Sequence, residues 1–185
     1  MSPPPFRPTL AFWLTVPVVT ALTWVVHEGA HFAAGRALGY GMWMSMNRAG
    51  NLDGDYATEA HQMIVTLAGP LVTCAQAALA WGLLRRRPSS VAYQVLFLAF
   101  FMRLTALGVS FSNPNDEARA SLALGMPWWA LPTVVCLALL ALTVAAARRL
   151  GVGWRTNVAL YLVVGACAAG VVLGDPYVGR LVVAR

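Results

Sequence analysis

Residues 10–38 read LAFWLTVPVVTALTWVVHEGAHFAAGRAL, an apolar run that ends in two histidines and a glutamate. A helix that crosses the hydrocarbon core of a bilayer needs about 20 apolar residues, so this run is long enough. Ionisable side chains are costly at membrane depth and usually have a function there. This one stretch therefore predicts both a membrane helix and a chemical site near its end.

The composition of the whole chain is that of a membrane protein. Of its 185 residues, 59% are hydrophobic and 11% are charged, whereas a soluble domain has about 25% charged residues. So few charges cannot cover a soluble globule, and apolar segments recur along the chain. We predict an all-α polytopic membrane protein, a single transmembrane domain over residues 1–185, integral and multi-pass, and expected in a bacterial cell membrane.

Five transmembrane helices are predicted, with a short β-hairpin-like loop after the first. The predicted spans are about residues 10–38, 57–84, 91–111, 128–147 and 158–173. The second span is expected to be broken near Ala68-Gly69-Pro70, whose small residues allow close approach to the first span. The loop after the first span, GYGMWMSMNRAGNLDGDYATEA, is rich in turn residues. A hairpin lying against the bundle would pair its backbone polar groups.

The net charge of +6 comes from 13 basic residues, all of them arginine. Arginines cluster at 85–87, after the second span, and at 148, 149 and 155, after the fourth, so both loops belong on one side of the membrane. The positive-inside rule makes that side the cytoplasm. Orientation and attraction to lipid headgroups account for the charge, so the expected partner is the lipid bilayer and not a nucleic acid. The sequence carries no signal for an oligomeric state.

The polar residues at the end of the first span form an HExxH motif, His27-Glu28-Gly29-Ala30-His31. Side chains four residues apart stack on one face of a helix. Two imidazoles placed in this way can bind one Zn²⁺, and the glutamate beside the first can take a proton from a water molecule. The motif predicts one Zn²⁺ per chain, with His27 and His31 as metal ligands and Glu28 as the catalytic base.

A catalytic zinc site has three protein ligands and an open position, so one ligand must lie outside the motif. The candidates are Asp116 and Glu117 in the stretch SFSNPNDEARAS, Asp53 in the first loop, and His61 near the start of the second span. Because successive spans alternate in direction, all four candidates belong at the end of the bundle that holds HEGAH. Topology alone therefore excludes none of them.

These motifs resemble those of the site-2 protease family of intramembrane zinc metalloproteases. HEGAH is similar to the HExxH motif of the family, and VTLAGPL at 65–71 is similar to the Ala-Gly-Pro step of its next core span. Asn113-Pro114 with Asp116 resembles its second metal motif, in which an aspartate follows Asn-Pro. The resemblance covers about residues 10–120 and leaves additional spans over about 127–174.

The resemblance implies that Asp116 is the third zinc ligand. The family's aspartate usually lies farther from the proline and precedes a glycine, so Glu117 is the runner-up. Asn113 becomes a candidate donor to an oxyanion, and His61 a candidate supporting residue. Family members generally hold the metal nearer the cytosolic face, whereas the arginines of this chain place it nearer the opposite face.

The implied function is that of a zinc-dependent intramembrane endopeptidase, a metalloendopeptidase that hydrolyses a peptide bond in or near a transmembrane segment of a membrane-protein substrate. An extended substrate segment could add a strand to the predicted hairpin. One alternative is a catalytically inactive metal-binding membrane regulator, which would have no use for a free carboxylate such as Glu28. Another is a small ion or proton transporter, which would not need HExxH order, and the sequence shows no internal repeat.

Overall fold

The computed structural model describes residues 6–185, and these form six helices and three short strands. In chain order the elements are α1 Leu10–Ala37, β1 Met42–Met44, β2 Ala49–Asn51, α2 Glu59–Arg86, α3 Ser90–Val109, α4 Asp116–Ala123, α5 Ala130–Leu150, α6 Trp154–Val178 and β3 Val182–Ala184. All the helices except α4 are long and apolar enough to cross a membrane. The prediction of an all-α polytopic membrane protein with five spans and a hairpin after the first is confirmed.

Short polar side chains begin several of the helices. The hydroxyl groups of Thr9, Thr58 and Ser89 each accept a hydrogen bond, 3.1–3.3 Å long, from the backbone N–H three residues farther on. These caps satisfy N–H groups that have no partner within the helix. The helices α1, α2 and α3 therefore begin where a hydroxyl residue precedes an apolar run.

The bundle is built around α3, which contacts α1, α2, α5 and α6. Its side chains Tyr93, Leu96 and Leu98 are completely buried. Large apolar side chains cover the outside of the bundle instead of polar ones; Leu10, for example, is 74% exposed. In contact with lipid chains this exposure is favourable, whereas in water it would make a surface for aggregation.

The two arginine-rich turns lie at the same end of the bundle, as predicted. Arg149, in the last turn of α5, donates hydrogen bonds of 2.9 Å to the carbonyl groups of Leu84 and Arg85 in α2. The backbone N–H of Phe6 bonds to the carbonyl of Gly151 at the same end. Since α1 starts at this end, the sheet that follows α1 lies at the opposite end.

The predicted break in the second span is wrong. The helix α2 runs without interruption from Glu59 to Arg86, with Pro70 inside it. Pro70 lacks an N–H, so the helix loses the hydrogen bond to the carbonyl of Thr66. Gly69 and Pro70 are both buried, and this packing keeps the two halves of the helix together.

Two elements, α4 and β3, lie where the sequence predicts no regular structure, and α6 is longer at both ends than the predicted span 158–173. The strand β3 pairs antiparallel with β1, which gives the sheet order β2-β1-β3. Trp43, in the centre of β1, has Gly50 of β2 on one side and Val183 of β3 on the other. The predicted hairpin therefore forms two strands of a three-stranded sheet, with β1 in the centre and β2 at one edge.

Candidate metal centre

The HEGAH stretch lies on the inner face of α1, close to its carboxyl-terminal end. His27, Glu28 and His31 are 4%, 7% and 8% exposed. Because the two histidines are one helical turn apart, their rings face each other edge to face, with centroids 4.9 Å apart. The motif therefore holds two imidazoles side by side in the interior of the bundle.

Asp116 is brought to the two imidazoles by α4, of which it is the first residue. Its Oδ2 atom lies 3.5 Å from Nε2 of His27 and 3.6 Å from Nε2 of His31. The two Nε2 atoms are 3.3 Å apart. Three atoms that can bind a metal thus form a nearly equilateral triangle.

The size of this triangle fits a zinc ion. Zinc binds imidazole nitrogen and carboxylate oxygen at about 2.0–2.2 Å in a tetrahedron, whose edges are then about 3.3–3.6 Å long. All three measured distances between the ligand atoms lie in this range. Among the histidine, cysteine and acidic side chains of residues 6–185, this is the one group of three that could hold a metal ion.

The hydrogen bonds of the two imidazoles direct their Nε2 lone pairs into the triangle. Nδ1 of His31 lies 2.6 Å from the carbonyl oxygen of Val65, which can only accept, so this nitrogen is the donor. The hydroxyl of Thr73 donates to the carbonyl of Gly69 at 3.0 Å, and it therefore accepts from Nδ1 of His27 at 2.9 Å. With hydrogen on Nδ1, each neutral imidazole has its lone pair on Nε2, the form that binds metals.

Three electron-rich atoms therefore face one another, an arrangement that needs a cation between them, whether protons on Nε2 or a metal ion. Burial alone would raise the pKa of Asp116, but His27 and His31, in the form that carries a proton on Nε2, hydrogen-bond to the carboxylate and hold that pKa well below its usual range. The acid is therefore a carboxylate, and carboxylates are metal ligands. The geometry and the charge of the three side chains both suit a divalent cation.

Gly69 explains how α2 comes so close to the histidines. A Cβ atom at this position would lie 2.6 Å from Cε1 of His27 and closer still to Nε2 of His31. Only a residue without a side chain leaves room for both rings. The Ala-Gly-Pro step thus allows the close approach of the second span that its small residues predict.

Comparison of the chain with protein-family models, with curated proteins and with solved structures gives no match.

The two adjacent acids of α4 have different partners. Glu117 accepts a hydrogen bond of 2.9 Å from Nη1 of Arg103, and both side chains are 3% exposed. Asp116 accepts on Oδ1 from Nη2 of Arg119, also at 2.9 Å, which leaves Oδ2 directed at the histidines. The structure thus brings Asp116 to the histidines and pairs Glu117, the runner-up, with the charge of the third span.

The other candidates lie outside the triangle. Nδ1 of His61 lies 2.8 Å from the hydroxyl oxygen of Tyr40, which accepts a hydrogen bond from the N–H of Ala57. Asp53 is exposed in the turn after β2, and Asn113 is exposed in the turn after α3. Neither His61 nor Asp53 belongs to the group of side chains that could hold a metal ion.

Glu28 lies beside the triangle as the neighbour of His27 in sequence. It is 7% exposed, and its carboxyl oxygens are not among the fully buried side-chain atoms that lack a partner, so they keep some contact with the surroundings. Its position next to His27, a candidate metal ligand, is the one that a general base in an HExxH site needs.

Three supporting residues were not predicted from the sequence: Val65, Thr73 and Arg119. For Val65 and Thr73 the sequence did contain a signal, in the stretch VTLAGPLVT at 65–73. Val65, Gly69 and Thr73 are spaced four residues apart, so they share one face of α2, and this is the face that meets the histidines. Arg119 had no such signal, because an arginine three residues after an acid is common on a solvated helix surface.

Proposed function

We propose that this protein is a zinc-dependent intramembrane endopeptidase, similar in its chemistry to the site-2 protease family. One observation carries the proposal: His27, His31 and Asp116 converge at the distances of zinc ligands inside a bundle of membrane-spanning helices. Three protein ligands leave one position open, which is the pattern of catalytic rather than structural zinc sites.

Zinc held by these three residues would supply a water molecule of lowered pKa and would polarise a peptide carbonyl. Residues of the chain transfer the proton and orient the metal ligands. The Glu28 carboxylate accepts a proton from the attacking water and returns it to the amine of the departing chain. Thr73 and the carbonyl of Val65 hold the hydrogen on Nδ1 of the two imidazoles, which keeps Nε2 as the ligand atom.

The substrate that fits this site is a membrane segment in extended form. A helix in lipid keeps its carbonyl groups in internal hydrogen bonds, so the bond to be cut has to be exposed by local unwinding. The sheet lies at the end of the bundle that holds the histidines, and a sheet edge can pair with an extended peptide. We therefore expect the substrate to be a membrane protein cut in or near a transmembrane segment.

The location we propose is a bacterial cell membrane, with the arginine-rich end of the bundle in the cytoplasm. Arg85, Arg86, Arg148 and Arg149 lie at that end, in the last turns of α2 and α5. Their charge favours the cytoplasmic side. In this orientation the metal centre lies nearer the opposite face.

The test is to purify the protein, measure its bound zinc by mass spectrometry, and incubate it with a set of single-span membrane proteins beside a Glu28→Gln variant. We expect one zinc per chain in both proteins. Cleavage by Glu28→Gln should be slower by at least about 100-fold, since a general base contributes 10²–10⁴ in rate. A wild-type protein without stoichiometric zinc would refute the proposal, and unchanged cleavage by Glu28→Gln would refute the role of that residue.

A second set of variants tests the third ligand. We expect Asp116→Ala to lose zinc, whereas Asp53→Ala keeps it, because Asp53 is exposed and outside the triangle. The same measurements separate the alternatives. A regulator would hold zinc without cleaving anything, and a transporter would need no stoichiometric zinc.

A further inference from the structure

The outer edge of β1 is filled by a segment of the same chain. The strand β3, Val182–Ala184, pairs antiparallel along the whole of β1, with Met42 opposite Ala184 and Met44 opposite Val182. Leu181 extends the pairing with a hydrogen bond of 2.8 Å from its N–H to the carbonyl of Met44. Of the two edges of the β1–β2 hairpin, the one along β1 is therefore occupied by β3, whereas the one along β2 pairs with no other strand of residues 6–185.

The occupied edge belongs to β1, which lies beside α1, the helix that carries the HEGAH motif. β1 follows α1 after four residues, and Met42 packs against Gly35, where a Cβ atom would lie 2.6 Å from Cε of Met42. Met42 is completely buried. A segment paired along β1 is thus held beside the helix that carries the HEGAH motif.

The segment that fills this edge has the layout of a membrane substrate. The strand β3 follows a helix long enough to span a membrane, α6, which ends just before Gly179. The chain then continues as the extended strand. Gly179 has φ +71°, a conformation that residues with side chains rarely adopt. A membrane helix followed by an extended, apolar segment is what an intramembrane protease has to accommodate.

The strand β3 is held with few contacts. Its valines are exposed, Val183 by 52%, so removing the strand uncovers little buried apolar surface. Besides the backbone pairing, two side chains hold it: Arg180 lies over the ring of Trp43 at 4.7 Å, and Nη1 of Arg36 reaches the carbonyl of Ala184 at 3.4 Å. Such a strand can leave the sheet while the core of the bundle stays intact.

We propose that residues 180–185 are an intramolecular occupant of the β1 edge, which must leave before an extended substrate segment pairs there. This inference rests on the proposed function, because it assigns the edge to the substrate of that function. Residues 180–185 therefore compete with the substrate segment for the edge of β1. Cleavage is then limited by the fraction of molecules in which β3 is displaced.

Disulfide formation across the strand pair measures occupancy of the edge. Paired residues in antiparallel strands have Cα atoms about 4.5–5.5 Å apart, a distance that a disulfide spans. The native cysteines Cys74, Cys136 and Cys167 are free and are first replaced by alanine. Trp43→Cys with Val183→Cys then links β1 to β3, and the matched control, Trp43→Cys with Gly50→Cys, links β1 to β2 and leaves the outer edge unlocked.

The first readout needs no catalysis. A blocked peptide with the sequence of residues 180–185, RLVVAR, is added at millimolar concentration before the oxidant. We expect it to slow formation of the disulfide between β1 and β3 at least threefold and to leave the control pair unaffected. A second peptide with proline at the position of Val183 should have no effect, since proline cannot donate to the ladder. Equal rates with and without RLVVAR would overturn the proposal.

The second readout is cleavage of a single-span reporter protein in which the span is followed by the sequence of residues 180–185. We expect oxidation of the β1–β3 pair to slow cleavage at least tenfold, and reduction by a phosphine, which avoids a zinc-chelating thiol, to restore it at unchanged zinc content. Equal cleavage in the locked and reduced forms would overturn the proposal and leave the protease function standing. Absence of cleavage in both forms, with peptide still slowing the cross-link, would refute the protease function and support displacement of β3.

Discussion

Gly69 is the residue at which the site is most sensitive to a single methyl group. Its missing side chain leaves room for both imidazoles. We expect Gly69→Ala to push the rings apart, to lower zinc content and cleavage severely, and to destabilise the protein by about 1–3 kcal/mol, as overpacking does. Zinc content and the midpoint of thermal unfolding measure the two effects.

Gly82 provides the matched control for this prediction. It lies in the same helix, α2, and a Cβ atom there would meet nothing within 4 Å. Gly82→Ala should keep its zinc and gain up to about 1 kcal/mol, because alanine is the better helix former. If Gly69→Ala bound zinc as tightly as Gly82→Ala, the close approach of α2 to the histidines would be wrong.

Thr73 fixes which nitrogen of His27 carries hydrogen. Thr73→Val keeps the shape of the side chain but removes the acceptor for Nδ1. Loss of such a supporting hydrogen bond costs about 10–100-fold in metal affinity, and we expect a loss of this size in zinc titrations. Thr143→Val is the control, since Thr143 is also buried and bonds to the carbonyl four residues before it, but in α5. Equal affinities of the two variants would count against the assigned hydrogen-bond network.

The sequence could predict the residues of the HExxH motif but could not choose firmly between Asp116 and Glu117. The spacing of His27 and His31 is a local property of one helix, so it can be read directly. Consecutive residues of a helix point about 100° apart, and which of the two acids faces the histidines depends on what the other one meets. Here Glu117 forms an ion pair with Arg103 of a different helix, and Asp116 is the acid that faces the histidines.

At the scale of elements, the ion pair of Arg103 and Glu117 links α4 to α3 and, together with the contacts of α4 with α2 and α5, places Asp116. Arg103→Met leaves a buried carboxylate without its partner, which costs about 3–5 kcal/mol. We expect this variant to unfold at lower temperature and to lose zinc, because α4 no longer holds its position. Thermal unfolding in detergent and zinc content are the measurements.

Two further variants test this interpretation. Arg103→Met combined with Glu117→Leu removes both charges and should recover most of the stability, since a buried pair can be replaced by apolar side chains. Arg119→Gln, at a residue 54% exposed, should change stability by less than about 1 kcal/mol. A double variant as unstable as Arg103→Met alone would show that packing, and not the unpaired charge, is responsible.

The long spans could be predicted because hydropathy summed over about 20 residues is a local signal. The helix α1, predicted over 10–38, is observed over Leu10–Ala37. The strand β3 could not be predicted, since three residues of a Val-Val-Ala stretch carry no signal for pairing with β1, some 140 positions earlier. The helix α4 was missed for the same reason: it is short and polar, and contacts with α2 and α5 stabilise it.

At the scale of the whole molecule, the arginine-rich end sets the expected orientation. In a protein without native cysteines, we expect Pro88→Cys, in the turn after α2, to react with a membrane-impermeant maleimide only from the cytoplasmic side. Asp53→Cys, in the turn after β2, should react only from the opposite side, because both positions are exposed and lie at opposite ends. The reverse pattern would place the metal centre at the cytosolic face, against the positive-inside rule.

The turn of the hairpin is fastened to two spans at once. The side-chain oxygen of Asn47 accepts a hydrogen bond of 3.0 Å from the indole N–H of Trp24 in α1. The backbone N–H of Asn47 donates a hydrogen bond of 3.1 Å to the carboxylate of Asp175 in α6. Ser45 adds a second bond to the same carboxylate. The distance between α1 and α6 therefore fixes where the hairpin lies, and we expect lateral pressure in the bilayer that alters this distance to shift the strands beside the helix that carries HEGAH.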